Sequence, residues 1–441
     1  MQTLPAGVWL KQGYPELFVI EAQTFSTYCY IENIALVFNE TRPLELLTQE
    51  TKTLTKNPDG SCEVQFWDAA GPYTFEQLSS FPNLPVFGET QGWNDNISLN
   101  FEAFWKVLTR HFAFAKERGL LWANLYATER AKAIACQTPG EFFELCASLV
   151  TQLKDGHSGL SGTGRKVYPD HPRLNRLLEA WFAVRKNESV TTSDDEAFER
   201  EVYAYVLDGI LQNKGKTTVN HKLAWGVLEH NIGYLGFHSC CDFTFDGASA
   251  TEELAALEQA LALAFDDFKD TTALIIDARF NTGGLDVASL HLAGRFTTTP
   301  RLAFRKYEVV YREPQTPHDV LVHPVATYYS KPVVFLTSTY TCSAAEIAAM
   351  AFRVLPTVTV MGQTTHGSLS DSMSFVLPNG WKGRLSNEVY LAADGNLYEG
   401  LGLPPKVVTP DPSEGAFWER LDETLQLAQQ HILARVSSTA K

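Results

Sequence analysis

The chain has 441 residues, of which 45% are apolar, 20% charged and 12% aromatic, a globular make-up long enough for two or three domains. A formal charge of −15 argues against nucleic acid and anionic membrane surfaces as partners. No apolar run reaches the roughly 18 residues of a membrane span, and Met1-Gln2-Thr3-Leu4-Pro5 lacks the basic and apolar regions of a signal peptide. The seven cysteines are odd in number and form no Cys-x-x-Cys pair, so they read as reduced thiols. These features predict a cytoplasmic protein.

Residues 1–88 read as a small β-rich domain. Leu17–Ile20, Tyr28–Ile31 and Ile34–Phe38 are short apolar runs, and Asn57-Pro58-Asp59-Gly60 is a turn before the alternating Cys62–Phe66. Phe81-Pro82-Asn83-Leu84-Pro85 reads as a linker. From there to 226 the period turns helical: Phe101, Phe104, Trp105, Leu108 and Phe112 share one face, as do Phe142, Cys146, Leu149 and Leu153. The second of these helices stops at Asp155-Gly156, which leaves His157 on a loop, a common place for chemistry. As one histidine among eleven it is, by itself, more often a surface residue. The stretch Gly159–Lys166 has a superficial likeness to a phosphate loop but lacks the Gly-Lys-Ser/Thr ending and the flanking strand and helix. Residues 166–226 read as a helical connector around an exposed polar loop, 186–195.

Residues 227–410 alternate between strand and helix. Ile232–Phe237 and Ala273–Asp277 are strands, and 250–268 is an amphipathic helix with Leu254, Leu257, Leu261 and Phe265 inward. Further strands are expected at 303–311, 333–336, 357–361 and 373–377, and 411–441 holds an amphipathic helix from Glu414 to about Arg435. At Asp277-x-Arg279-x-Asn281-x-Gly283-Gly284 a glycine pair follows a strand and precedes a helix, where backbone N–H groups can meet an anion. Ser343 stands between the strand 333–336 and the helix former Ala344–Phe352, with Glu346 at capping-box spacing. A hydroxyl there meets unpaired N–H groups and the positive end of a helix dipole, which suits a nucleophile as well as the commoner helix cap. Glu399, among the glycines of Tyr398–Pro405, reads by itself as a solvated carboxylate.

Taken together, these blocks resemble the tail-specific, or C-terminal processing, serine peptidases. Thr341-x-Ser343-Ala344-x-Glu346-Ile347 is similar to their nucleophile motif, and Asp277–Gly284 to their strand-turn motif. Leu153-x-Asp155-Gly156-His157 is similar to their His loop, while Gly362-x-Thr364-x-x-Gly367 and Asp394–Pro405 complete the order. The resemblance implies an α/β fold with a crotonase-like (ββα) core at 227–410, preceded by a helical subdomain at 89–226 and the β-rich N-terminal domain. It implies Ser343 as nucleophile, with Gly283 or Gly284 and Ala344 supplying the oxyanion hole. One branch of the family uses a lysine base, whose position here is Ser368; the chain looks instead like the tricorn-core branch, with His157 as base and Glu399 supporting it. The relay serine common before that histidine is Gly156 here, and Asp155 is a second candidate orienter. No PDZ-like glycine pattern occurs between 158 and 226. The implied activity is serine-type endopeptidase hydrolysis of peptides or unfolded protein tails, without metal or cofactor. A catalytically inactive binding module on the same fold, taking a small apolar ligand or peptide, is the alternative. Cys342 is read as packing, and the sequence sets no oligomeric state.

Overall fold

The computed structural model describes residues 3–169, 177, 181, 194–218, 220–245, 247–310, 316–325, 327–412 and 417–439. The stretch 186–193 of the expected exposed loop, and residue 414 at the expected start of the last helix, lie outside them. The chain divides into two compact units, one of residues 1–172, 306–318 and 370–390, the other of 173–305, 319–369 and 391–441.

In the first unit an eight-stranded sheet gathers the strands between Gly7 and Phe87. Thr24–Ile31 shows why it forms: alternate residues Phe25, Thr27, Cys29 and Ile31 are buried, the period of a half-buried strand. Three helices follow, Ile97–His111, Trp122–Ala135 and Pro139–Thr151. Asn96 caps the first by accepting the Leu99 N–H at 2.9 Å, and Phe101, Phe104, Trp105 and Leu108 are buried as their spacing predicts. Phe142 and Phe143 of the third pack against Trp381 with ring centroids 5.3 Å apart. Trp381 closes a hairpin between Ser372–Val376 and Lys382–Ser386. The strand read from the sequence at 373–377 therefore lies in an antiparallel sheet with Gly159–Gly162 and Arg165–Val167, not in a parallel one. The turn decides this: the Leu377 N–H reaches the Trp381 carbonyl at 2.8 Å, and Gly380 takes φ +81°, so the chain reverses at once instead of crossing over through a helix.

The second unit is built on a seven-stranded sheet. Lys216–Thr217, Leu223–Leu228 and Ile232–Phe237 pair antiparallel, then Ile232–Phe237, Ala273–Asp277, Val333–Thr337, Val358–Gly362 and Val407–Val408 run parallel in that spatial order. Every residue of Ile232–Phe237, Ala273–Asp277, Val333–Thr337 and Val358–Gly362 is buried, because a parallel sheet carries helices on both faces. The helix Ala250–Asp267 buries Leu257, Leu261 and Phe265, while Leu254 is half-buried. The last helix, Phe417–Thr439, lays Leu421, Leu425, Ala428 and Ile432 on the same core cluster as Tyr234, Ile275 and Leu336. No helix among the described residues is long and apolar enough to cross a membrane.

Candidate active site

Two neighbouring strands of the parallel sheet carry the site of the second unit at their carboxyl ends. Asp277 and Leu336 are register partners, so the turns that leave Ala273–Asp277 and Val333–Thr337 start side by side. Ligand sites in open parallel sheets collect at such ends. The first turn is fixed by a buried ion pair: Arg279 Nε and Nη2 donate to the two Asp277 oxygens at 2.8 and 2.6 Å, and its Nη1 donates to the Leu421 carbonyl. Burial opposes both charges, but each holds the other, so Asp277 is lowered and Arg279 raised from their ordinary pKa values. Asn281 then donates to the Phe237 carbonyl at 2.9 Å and accepts the Gly283 N–H at 2.8 Å.

That last bond separates the two glycines. The Gly283 N–H is taken by Asn281, whereas the Gly284 N–H has no acceptor among the described residues. Gly283 has φ +107°, and a Cβ there would lie 2.7 Å from Ser343 Cβ and 2.8 Å from the Ala344 nitrogen, so only glycine lets this turn approach the serine.

The second turn is held by Thr341, whose Oγ1 donates to the Ala278 carbonyl at 2.8 Å, and by the Cys342 N–H, which reaches the Asn281 carbonyl at 3.1 Å. Ser343 follows with φ 56° and ψ −129°. Non-glycine residues avoid that region at a cost on the order of 1–3 kcal/mol and persist there only where the surroundings enforce it. The conformation turns the chain sharply from strand to helix, as at a nucleophile elbow. The Ala344 N–H, first of the helix Ala344–Arg353, has no acceptor among the described residues.

Glu346 does more than the sequence spacing suggested. Fully buried, it accepts the Ser343 N–H at 3.2 Å, the Thr365 hydroxyl at 2.5 Å and the Gly367 and Ser368 N–H groups at 2.7 and 2.8 Å. Burial pushes its carboxyl up to about 7, with the four donors pulling the other way. The loop 365–369 is thereby tied to the nucleophile turn, and the Ser343 N–H also lies 3.1 Å from the Ser368 carbonyl. Glu399 holds the far end of the same loop by accepting the Leu369 N–H at 2.7 Å. At 4% exposure it is buried, which overturns its reading as a solvated glutamate. His366 sets Nδ1 2.8 Å from Ser368 Oγ and 3.7 Å from Cys342 Sγ. Burial raises the Cys342 thiol well above its usual range, the state of a packed thiol rather than a nucleophile.

His157 belongs to the first unit, between the helix Pro139–Thr151 and the strand Gly159–Gly162. Its loop is ordered by Asp155, which is fully buried and accepts the His157 and Ser158 N–H groups at 2.8 and 2.9 Å and the Ser386 hydroxyl at 2.8 Å. Asp155 thus fixes the backbone that carries the imidazole. The His157 carbonyl accepts from Arg384 Nε at 3.1 Å. Sequence reasoning missed the Asn281 tie and the hub role of Glu346, since neither spacing nor composition shows which amide a buried side chain will meet. Among the described residues no group of three His, Cys, Asp or Glu is placed to hold a metal ion.

Comparison with known proteins agrees with the motifs. Residues 231–409 match the model of peptidase family S41. A carboxy-terminal-processing protease of Bartonella bacilliformis is 25% identical over 190 residues, 42% of this chain and 40% of that protein, so the match spans less than half of this relative's length. Among solved structures, a candidate peptidase of Parabacteroides merdae superposes with a TM-score of 0.61 at 24% identity, over 78% of this chain and 99% of the other. Mature CPAF in complex with lactacystin gives 0.54 at 13% identity, over 78% and 99%. These structures share the fold.

Proposed function

From a chain whose residues 231–409 match the model of peptidase family S41, we propose a serine-type endopeptidase that hydrolyses peptide bonds in peptides or unfolded protein tails. The core carrying the two turns is read as crotonase-like. Ser343 Oγ attacks the scissile carbonyl and its proton passes to His157 as general base, supported by Glu399. The carbonyl oxygen gains negative charge and is received by the N–H groups of Gly284 and Ala344. Collapse breaks the C–N bond, the leaving amine takes the proton from the imidazolium, and water then releases the acyl group through the same base. An extended substrate pairing its backbone with the enzyme fits a reading in which positions away from the scissile bond tolerate varied sequence.

The observation that carries this reading is the strained Ser343 at a strand-turn-helix junction, with the Gly283 turn packed against it and, among the described residues, no acceptor for the Gly284 and Ala344 N–H groups. A pure helix cap needs neither the strain nor the glycine approach. Mass spectrometry after a fluorophosphonate probe tests it. One adduct on Ser343, lost in both Ser343→Ala and His157→Ala, is expected. Peptide hydrolysis should fall at least about a thousandfold in each variant. Gly283→Ala should cost about a hundredfold or more in kcat, because its methyl meets Ser343 and Ala344. Folded wild-type protein without an adduct would overturn the reading and favour the binding module.

A further inference from the structure

A cavity of about 230 Å³ opens in the second unit against the Gly283–Gly284 turn. We propose that it receives the substrate side chain on the acyl side of the scissile bond and that it selects lysine or arginine; this rests on the peptidase reading.

A carbonyl oxygen held by the Gly284 and Ala344 N–H groups has its own Cα only two bonds away. The side chain on that Cα must leave beside the glycine turn, which forms one wall of the cavity. The volume has room for one large side chain.

Phe198, Phe280 and Tyr340 line the cavity as buried rings, and Tyr203 beside them is half-buried and offers its face. Such faces attract a cation and also pack against an aliphatic stem. Among the described residues the polar lining carries two carboxylates, Glu199 and Asp242, against one ammonium, Lys222, which lies 3.7 Å from Glu199. His238 adds no positive charge at neutral pH: burial lowers its pKa, and its Nδ1 lies 3.0 Å from the His221 carbonyl. Among the described lining residues the balance is one net negative charge beside aromatic rings. An acidic side chain would meet like charge there, and a purely apolar one would leave Asp242 without a cation, since Lys222 already faces Glu199. A long basic side chain satisfies both parts. The whole chain, at −15, biases the approach of cationic peptides in the same direction.

The test is a positional-scanning peptide library with kcat/KM read at each position, together with Asp242→Asn and Glu199→Gln. Lysine and arginine on the acyl side should exceed leucine by about tenfold, and each substitution should cut the Lys-to-Leu ratio severalfold. Binding of product peptides ending in Lys or Leu to Ser343→Ala gives a second readout that needs no turnover. The Lys-ended peptide should bind about tenfold tighter, and Asp242→Asn should erase the difference. Cleavage or binding without basic preference, preference only on the leaving side, or a ratio untouched by both substitutions overturns the proposal. Absence of any Ser343 adduct and any cleavage overturns instead the peptidase reading beneath it.

Discussion

Each unit buries a glutamate completely, and the two glutamates respond in opposite ways. In the first unit, burial raises the cost of the Glu388 charge, but the Lys306 ammonium at 2.5 Å and the Tyr14 hydroxyl outweigh it, so its pKa falls below the ordinary value. Lys306, equally buried, is raised by the same partner. In the second unit Glu346 has four donors and no cation among its hydrogen-bonding partners, and burial wins, lifting it to about 7. Neutral dipoles can orient a buried carboxylate, but a full opposite charge is what keeps it ionised at low pH. The comparison also separates tasks: Glu388 binds two side chains together, whereas Glu346 positions the backbone around Ser343.

The strongest way to break this contrast is to remove the cation. Lys306→Met should destabilise the protein by about 3–5 kcal/mol in urea unfolding, because it leaves Glu388 buried with the Tyr14 hydroxyl but without the cation it contacts. The double variant with Glu388→Gln should recover much of that loss, and an additive double-mutant cycle would show that the pair is not coupled.

Next in size is a pH effect. Between its ordinary 4.5 and about 7 the folded state keeps the Glu346 proton while the unfolded state releases it. Stability must therefore fall as pH rises through that window, by about 3 kcal/mol from this group. Glu388 works the other way: its lowered pKa stabilises the fold above 4.5, and that contribution is lost as pH falls through the folded value. Urea midpoints of wild type and Glu346→Gln from pH 5 to about 7.5 would compare the slopes, with a flatter curve expected for the variant. Identical slopes would remove Glu346 as the group responsible.

The smallest expected effect sharpens the neutral-donor side. Thr365 Oγ1 donates to Glu346 and accepts the Leu403 N–H at 2.7 Å. Thr365→Val should cost about 1–2 kcal/mol and push the Glu346 titration higher still. A titration that stays in place would mean that the hydroxyl does not share the carboxylate charge.

The pattern of the chain reaches far into this fold, and its limits have a common origin. Apolar spacing made the strands 232–237 and 273–277 and the helix 97–111 legible, since burial on one face or both is written in each residue's own hydrophobicity. Strand, turn and helix around Ser343, and the glycine pair after Asp277, were equally local. What the sequence could not determine was pairing at a distance. The strand 372–376 joined an antiparallel sheet through the turn at 377–381, Asn281 took one of two glycine amides, and Glu346 met amides some twenty residues on. Glu399 looked solvated until its contact with Leu369 placed it inside. Local periodicity and turn chemistry act through neighbours along the chain, so sequence determines them. Which buried polar atoms satisfy one another depends on where separate segments come to rest, and only the tertiary structure decided that.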